Sequence, residues 1–275
     1  MLTVLTGLLS SLSYATSDMF SQRVTRETRA LTQMVWVMAT GTAVSLPVAL
    51  LVRGVPHGGE WSGAGLSALA GVLYVFALFC LYRGLNVGDL GLISALISLM
   101  GAYVAVVVIV LGAPVTLLLV VALVMCVCGG VLASFEGRAG TTRGAAWGLA
   151  GGLLFAALAL CFNYADIDWL SQVAISRTVS LVAVLPVALL SGSISVPRRL
   201  RPVAAGAGLL ELAGLALFTI TFALGPATVA GVTTTQIGTC AVILGFVVLR
   251  ERPKPNQWAG IVCTLAGVSL LAVAV

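Results

Sequence analysis

"LPVALL", Leu46 to Leu51, returns as "LPVALL", Leu185 to Leu190, 139 positions later and again inside a long apolar run. Of the 275 residues, 60% are hydrophobic and 8% charged, about a third of the usual charged share. Such a chain cannot cover itself with a polar surface, so a water-soluble domain is excluded. The few charges fall between apolar stretches of about 20 residues, the length that crosses the hydrocarbon core of a bilayer. There are ten such stretches, at approximately 2–22, 31–52, 62–84, 90–111, 115–134, 143–163, 169–191, 203–224, 228–249 and 255–275. Lipid offers no partner to an unpaired peptide group, and the alternating pattern of a barrel is missing, so each stretch is expected to be a helix. The expected fold is an all-α integral membrane protein of ten transmembrane helices.

The repeated hexapeptide is one of three echoes in the same order. "AGVLYVFALFCLYRGLNVG" from Ala70 lies without gaps against "AGLLELAGLALFTITFALG" from Ala207, and "AVVVIVLGAP" in the fourth stretch matches "VILGFVVLRERP" in the ninth. Helices two, three and four thus echo seven, eight and nine. The chain reads as two five-helix units, 1–134 and 143–275, joined by a short linker at 135–142. A unit with an odd number of spans enters the membrane in the opposite sense the second time, so the two repeats are inverted about an axis in the membrane plane.

The net charge of +5 is a matter of sidedness, not of nucleic-acid binding. Arg23, Arg26, Arg29, Arg83, Arg138, Arg143, Arg198, Arg199, Arg201, Arg250, Arg252 and Lys254 all fall in odd-numbered joints, whereas the even joints hold only Arg53. The positive-inside rule then puts the odd joints in the cytoplasm and both termini outside. The first stretch lacks a basic leader and a cleavage pattern, and is read as a retained helix. Cys80, Cys126, Cys128, Cys161, Cys240 and Cys263 all fall within spans, without metal-ligand spacing, and read as packing residues. No metal or cofactor is expected. His57, the one histidine, sits in the joint "RGVPHGGEW", and no buried pair of acids or nucleophile with its base is present, which argues against an intramembrane enzyme.

"ALGPATVAGVTTTQIGTCAVILGFVVLRERPKPNQWAGIVCTLAGVSLL", from Ala223, resembles the closing signature of EamA-type carriers in the drug/metabolite transporter superfamily. "LYRGLNVGDLGLISALISLMGAYVAVVVIVL" is similar to its first-half version, and "ISRTVSLVAVLPVALL" to the seventh helix. The chain departs from the family in lacking the first-half Glu-Arg turn and basic termini. The resemblance implies secondary transport of small organic solutes by alternating access. Export of amino acids or related metabolites leads, with proton coupling as an option. A multidrug/proton antiporter is the alternative, and a non-transporting scaffold subunit the alternative of another class. The expected setting is the cytoplasmic membrane, the expected partners are a small-molecule substrate, lipid and protons, and the chain is expected as a monomer or homodimer.

Site candidates are polar groups forced into the bilayer, where an ionisable side chain costs about 2.5–3.5 kcal/mol at a helix centre. Glu211 lies nine residues past Pro202 and Arg177 nine past Asp168, each about 13 Å into a core about 30 Å thick. Paired across helices seven and eight, they read either as a coupling site, with Glu211 accepting a proton or cation and Arg177 anchoring an anionic group, or as a permanent structural ion pair. Asp18, about 7 Å from the end of helix one, reads first as an interfacial residue whose carboxylate snorkels toward the arginines beyond. Yet setting "GLL" at Gly7 against "GLL" at Gly152 places it opposite Asn163 at matched depth, and Tyr74 falls opposite Glu211, so Asp18, Tyr74, Asn163 and Glu211 are proposed by the symmetry to line one cavity. In "TTTQIGT", Thr235 and Gln236 read either as substrate ligands or as side chains bonded to their own helix. Tyr14, Ser94 and Ser98 are further candidates of this kind. Pro47 and Pro186, at matched positions of the hexapeptide, are expected to kink helices two and seven, as gates or as tolerated bends.

Overall fold

The computed structural model describes residues 1–25, 27–87, 96–97, 99–112, 115–134, 144–248 and 254–274. Ser94, Ser98 and the linker expected at 135–142 lie outside them. The described residues form the helices α1 (Leu2–Thr25), α2 (Ala30–Val52), α3 (Trp61–Val87), α4 (Met100–Val110), α5 (Leu117–Ser134), α6 (Ala145–Tyr164), α7 (Trp169–Leu190), α8 (Arg201–Leu224), α9 (Ala227–Thr233), α10 (Ile237–Val248) and α11 (Pro255–Ala274). Among them, six helices are long and apolar enough to cross a membrane, and α4 and α5 are shorter apolar helices. The expected ninth span differs from a single rod: it is α9 and α10 in series, interrupted at Thr234–Gln236. The cause is local, because the hydroxyls of Thr233, Thr234 and Thr235 and the Gln236 amide turn back onto carbonyls of Val229 to Val232 and offer the backbone alternative partners.

The packing repeats itself upside down. Helix α1 runs along α8 as α6 runs along α3, and α2 meets α8 as α7 meets α3. Two pairs, α2 with α7 and α5 with α11, join a helix to its own counterpart, and α4 packs on α9, the first piece of the span that matches its own. In lipid the helices gain nothing from apolar burial against one another and associate through close contact and interhelical hydrogen bonds. Serine supplies many of these. Ser10 and Ser17 of α1 donate to Gly214 O and Ala207 O of α8, both at 2.8 Å, and Ser180 of α7 donates to Gly71 O of α3 at 2.8 Å. The α5–α11 contact is closer still: a Cβ on Gly267 would stand 2.7 Å from Cys126 Sγ and 2.8 Å from Cys126 N.

Helices α2 and α7 are pinned together at both ends. At one end Arg53 Nε meets Asp168 Oδ2 at 3.1 Å. At the other Arg29 Nη1 donates to Ser191 O at 2.9 Å, Trp36 Nε1 donates to Ile194 O at 3.0 Å, and Arg199 pairs with Glu27. Asp168 is also the N-cap of α7, accepting from the backbone N–H of Leu170 and Ser171. Burial opposes ionisation of Asp168, but the Ser171 bonds and the Arg53 guanidinium outweigh it and hold the carboxyl below its ordinary value. Pro47 and Pro186 lie on exposed faces of α2 and α7, and both helices run on past them.

Two outcomes are expected. Gly267→Val wedges α5 from α11 and lowers stability by about 1–3 kcal/mol in a thermal or detergent-denaturant titration, whereas Gly65→Ala, where a Cβ meets nothing within 4 Å, leaves it unchanged or raised. Asp168→Ala removes the cap and the Arg53 partner, lowering stability at pH 7 by about 0.5–2 kcal/mol. A depressed carboxylate stabilises above its unfolded value and loses that contribution as pH falls through the folded one. The gap between wild type and Asp168→Ala therefore closes below pH 4, read as converging melting temperatures.

Candidate functional site

The inverted repeat assigns every residue a counterpart. On the register of the hexapeptide, Arg177 of α7 answers Met38 of α2; on that of α3 and α8, Glu211 answers Tyr74. Both counterpart pairs touch. Arg177 Nη1 lies 3.3 Å from Met38 Sδ, and the Tyr74 hydroxyl donates to Glu211 Oε1. A residue meets its own two-fold mate only at the axis, so these four side chains mark the centre of the molecule.

The ion pair closes the group. Arg177 Nη2 stands 2.6 Å from Glu211 Oε2, at an angle too bent for a regular hydrogen bond, and the guanidinium carbon lies 4.7 Å from the centre of the Tyr74 ring. Arg177 is 1% exposed and Glu211 6%. In such surroundings each charge depends on the other, and a cation over an aromatic face gains further when desolvated. Phe155 of α6 meets Tyr74 edge-on, with ring centres 6.0 Å apart, and holds the phenol in place.

The remaining candidates distribute as follows. Tyr14 of α1 lies against Gly214 of α8, where a Cβ would stand 3.1 Å from its ring. Asp18 follows one turn later on the same face, within range of the Glu211 charge, and yet is exposed. Asn163 does not join them: it is half-buried one residue before the end of α6, whereas Asp18 is seven residues, about 10 Å, before the end of α1.

Thr235 and Gln236 sit in the interruption between α9 and α10, both buried. Their side chains bond Val232 O, and Thr239 donates to Gln236 Oε1 at 3.4 Å. Ser11 of α1 caps the break by donating to Thr233 O at 3.0 Å. Sequence reasoning missed Met38, whose sole signal is its position as the counterpart of Arg177. It also missed Gln33 and Gln172, matched in the two repeats: Gln33 donates to Ser21 Oγ, and Gln172 to three carbonyls between α6 and α7. Among the described residues no group of three or more His, Cys, Asp or Glu side chains is placed to hold a metal.

The fold is similar to that of a protein of known crystal structure, with a TM-score of 0.83 at 16% sequence identity, covering 99% of each chain. No curated protein matches the chain in sequence. The model of the EamA-like transporter family matches it twice in tandem, at residues 1–135 and 142–273. With two matches that together span nearly the whole chain, and an all-helical fold whose two halves pack alike, this protein belongs to the EamA-like transporter family.

Proposed function

We propose that the protein exports amino acids or related small metabolites by alternating access, exchanging them for protons at Glu211. The observation that supports this reading is the Arg177–Glu211 pair with Tyr74 and Met38 at the pseudo-two-fold axis. A site on the axis is equivalent with respect to both repeats, so rocking one repeat against the other opens it to either side without moving it. Glu211 is the group for which a solute ammonium and a proton compete, and competition for one carboxylate is what exchange requires. Asp18, exposed on α1 one turn past Tyr14, is the entry point for the cationic end of the solute. Asn163, Thr235 and Gln236 lie farther along the same path as secondary polar contacts.

The repeats 1–134 and 143–275 act as the two moving units, joined by the linker 135–142. Pro47 and Pro186 remove a helical hydrogen bond at matched points of α2 and α7, the helices pinned at both ends, and serve as their hinges. Opening one side requires release of Arg53 from Asp168; opening the other requires release of Arg199 from Glu27 and of Arg29 from Ser191. The protein works in the cytoplasmic membrane, with both termini outside, as a monomer or homodimer.

Purified protein in liposomes with an internal pH dye, challenged with a pool of amino acids and separately with a pool of cationic drugs, tests this. Amino acids are expected to drive a proton flux that Glu211→Gln reduces to background. Tyr74→Phe, which keeps the ring and loses the donor, is expected to slow it about tenfold, the equivalent of one hydrogen bond to a charged group. Flux driven by the drugs alone establishes the multidrug antiporter instead. Labelled solute that equilibrates without moving protons, equally in wild type and Glu211→Gln, makes the protein a facilitator and the ion pair structural. No movement of any solute leaves the scaffold reading.

A further inference from the structure

Arg177 is incompletely satisfied. Its Nη2 faces Glu211 and its Nη1 faces Met38, but Nε has no hydrogen-bond partner. Two further buried atoms nearby share that condition: Thr42 Oγ1 and Ser45 Oγ, in residues 8% and 3% exposed. Buried hydroxyls in helices ordinarily bond a carbonyl one turn back, as Thr178 does to Ala174 O and Thr221 to Leu217 O in this protein. An unpaired buried polar atom is unfavourable and requires a reason.

The three atoms belong to one place. Met38, Gly41, Thr42 and Ser45 lie at i, i+3, i+4 and i+7 on the inner face of α2. A Cβ on Gly41 would stand 3.2 Å from Arg177 Cδ and 3.7 Å from Nε, so the unpartnered edge of the guanidinium lies over α2 at this turn. Thr42 and Ser45 follow within one further turn, and the buried Ala49 within the next. The stripe ends at Arg53, beneath a hollow of about 230 Å³ lined by Val52, Arg53, His57, Glu60, Asp168 and Ser171. The unpaired hydroxyls thus lie on the face of α2 that meets Arg177, about two to three turns inward of the Arg53–Asp168 contact.

We infer that Arg177 Nε, Thr42 Oγ1 and Ser45 Oγ form an anion subsite that receives the carboxylate of the transported solute. One guanidinium N–H and two rotatable hydroxyls are three unpaired donors within about one turn of α2, none of them bonded to a carboxylate of the protein; a solute carboxylate supplies the matching acceptors. Nε itself carries no bond to Glu211, which faces Nη2, so a solute carboxylate bonded at Nε leaves the ion pair in place, and its ammonium remains free to compete with the proton. The subsite rests on the transport reading above and makes the carboxylate a condition of recognition.

The test uses proteoliposomes preloaded with a labelled equimolar mixture of neutral L-amino acids, or with the matching mixture of their carboxamides, which keep the ammonium and lose the anion. Wild type is expected to export the acids with a half-saturating concentration at least about tenfold below that for the amides. The double variant Thr42→Val, Ser45→Ala is expected to raise the value for the acids about tenfold and leave that for the amides unchanged; Thr42→Ser alone retains the wild-type preference. Amides exported by wild type as well as acids overturn the subsite, and so does a double variant with unaltered half-saturation, which reduces the hydroxyls to holding a resident water. No efflux of either mixture from wild-type vesicles overturns the amino-acid reading and the subsite together, whereas failure of the subsite alone leaves acid efflux intact.

Discussion

A charge is held at the middle of a bilayer against an opposite charge or not at all, and this chain holds two there. Arg177 and Glu211 are almost completely buried and stand 2.6 Å apart. Removing either would leave the other as an uncompensated buried ion, a change that costs about 3–5 kcal/mol where it has been measured. That dependence fixes α7 and α8 in depth and rotation relative to each other. It also brings in α2 and α3, because Met38 fills the space beside the guanidinium and Tyr74 gives the carboxylate its hydrogen bond. Four helices, two from each repeat, are thereby committed to one point.

Much of this was legible in the residues. The doubled hexapeptide and the two matches that follow it imply an inverted pair of five-helix units, and the charge pattern leaves Arg177 and Glu211 stranded inside apolar runs at similar depth. The register of "AGVLYVFALFCLYRGLNVG" against "AGLLELAGLALFTITFALG" set Tyr74 opposite Glu211, and these two residues touch. Such inferences succeed because hydropathy and span length act over twenty residues and tolerate small errors.

What escaped the sequence acts over one or two atoms. The interruption of the ninth span turns on whether threonine hydroxyls bond carbonyls or solutes, and apolar periodicity carries no record of that choice. Thr42 and Ser45 resemble any small residues of an apolar span. They become distinct only when the neighbouring helix is in place and their hydroxyls are found without the carbonyl bonds that Thr178 and Thr221 make.

The inequality of the two repeats follows from the axis itself. Identical halves would place identical residues face to face at the centre, so a charge there would meet its own like and repel it. A carrier built by inverted duplication can have a charged centre only if the halves diverge at the axis. They do: arginine answers methionine, and glutamate answers tyrosine. The divergence extends to the ends of α2 and α7, where Arg53 and Asp168 form an ion pair on one side while the corresponding place on the other is occupied by Arg29 bonded to Ser191. The backbone thus supplies two near-equivalent packings, and the unequal side chains give them unequal energies. Where one packing is favoured by charges that only one half carries, the two openings differ in population.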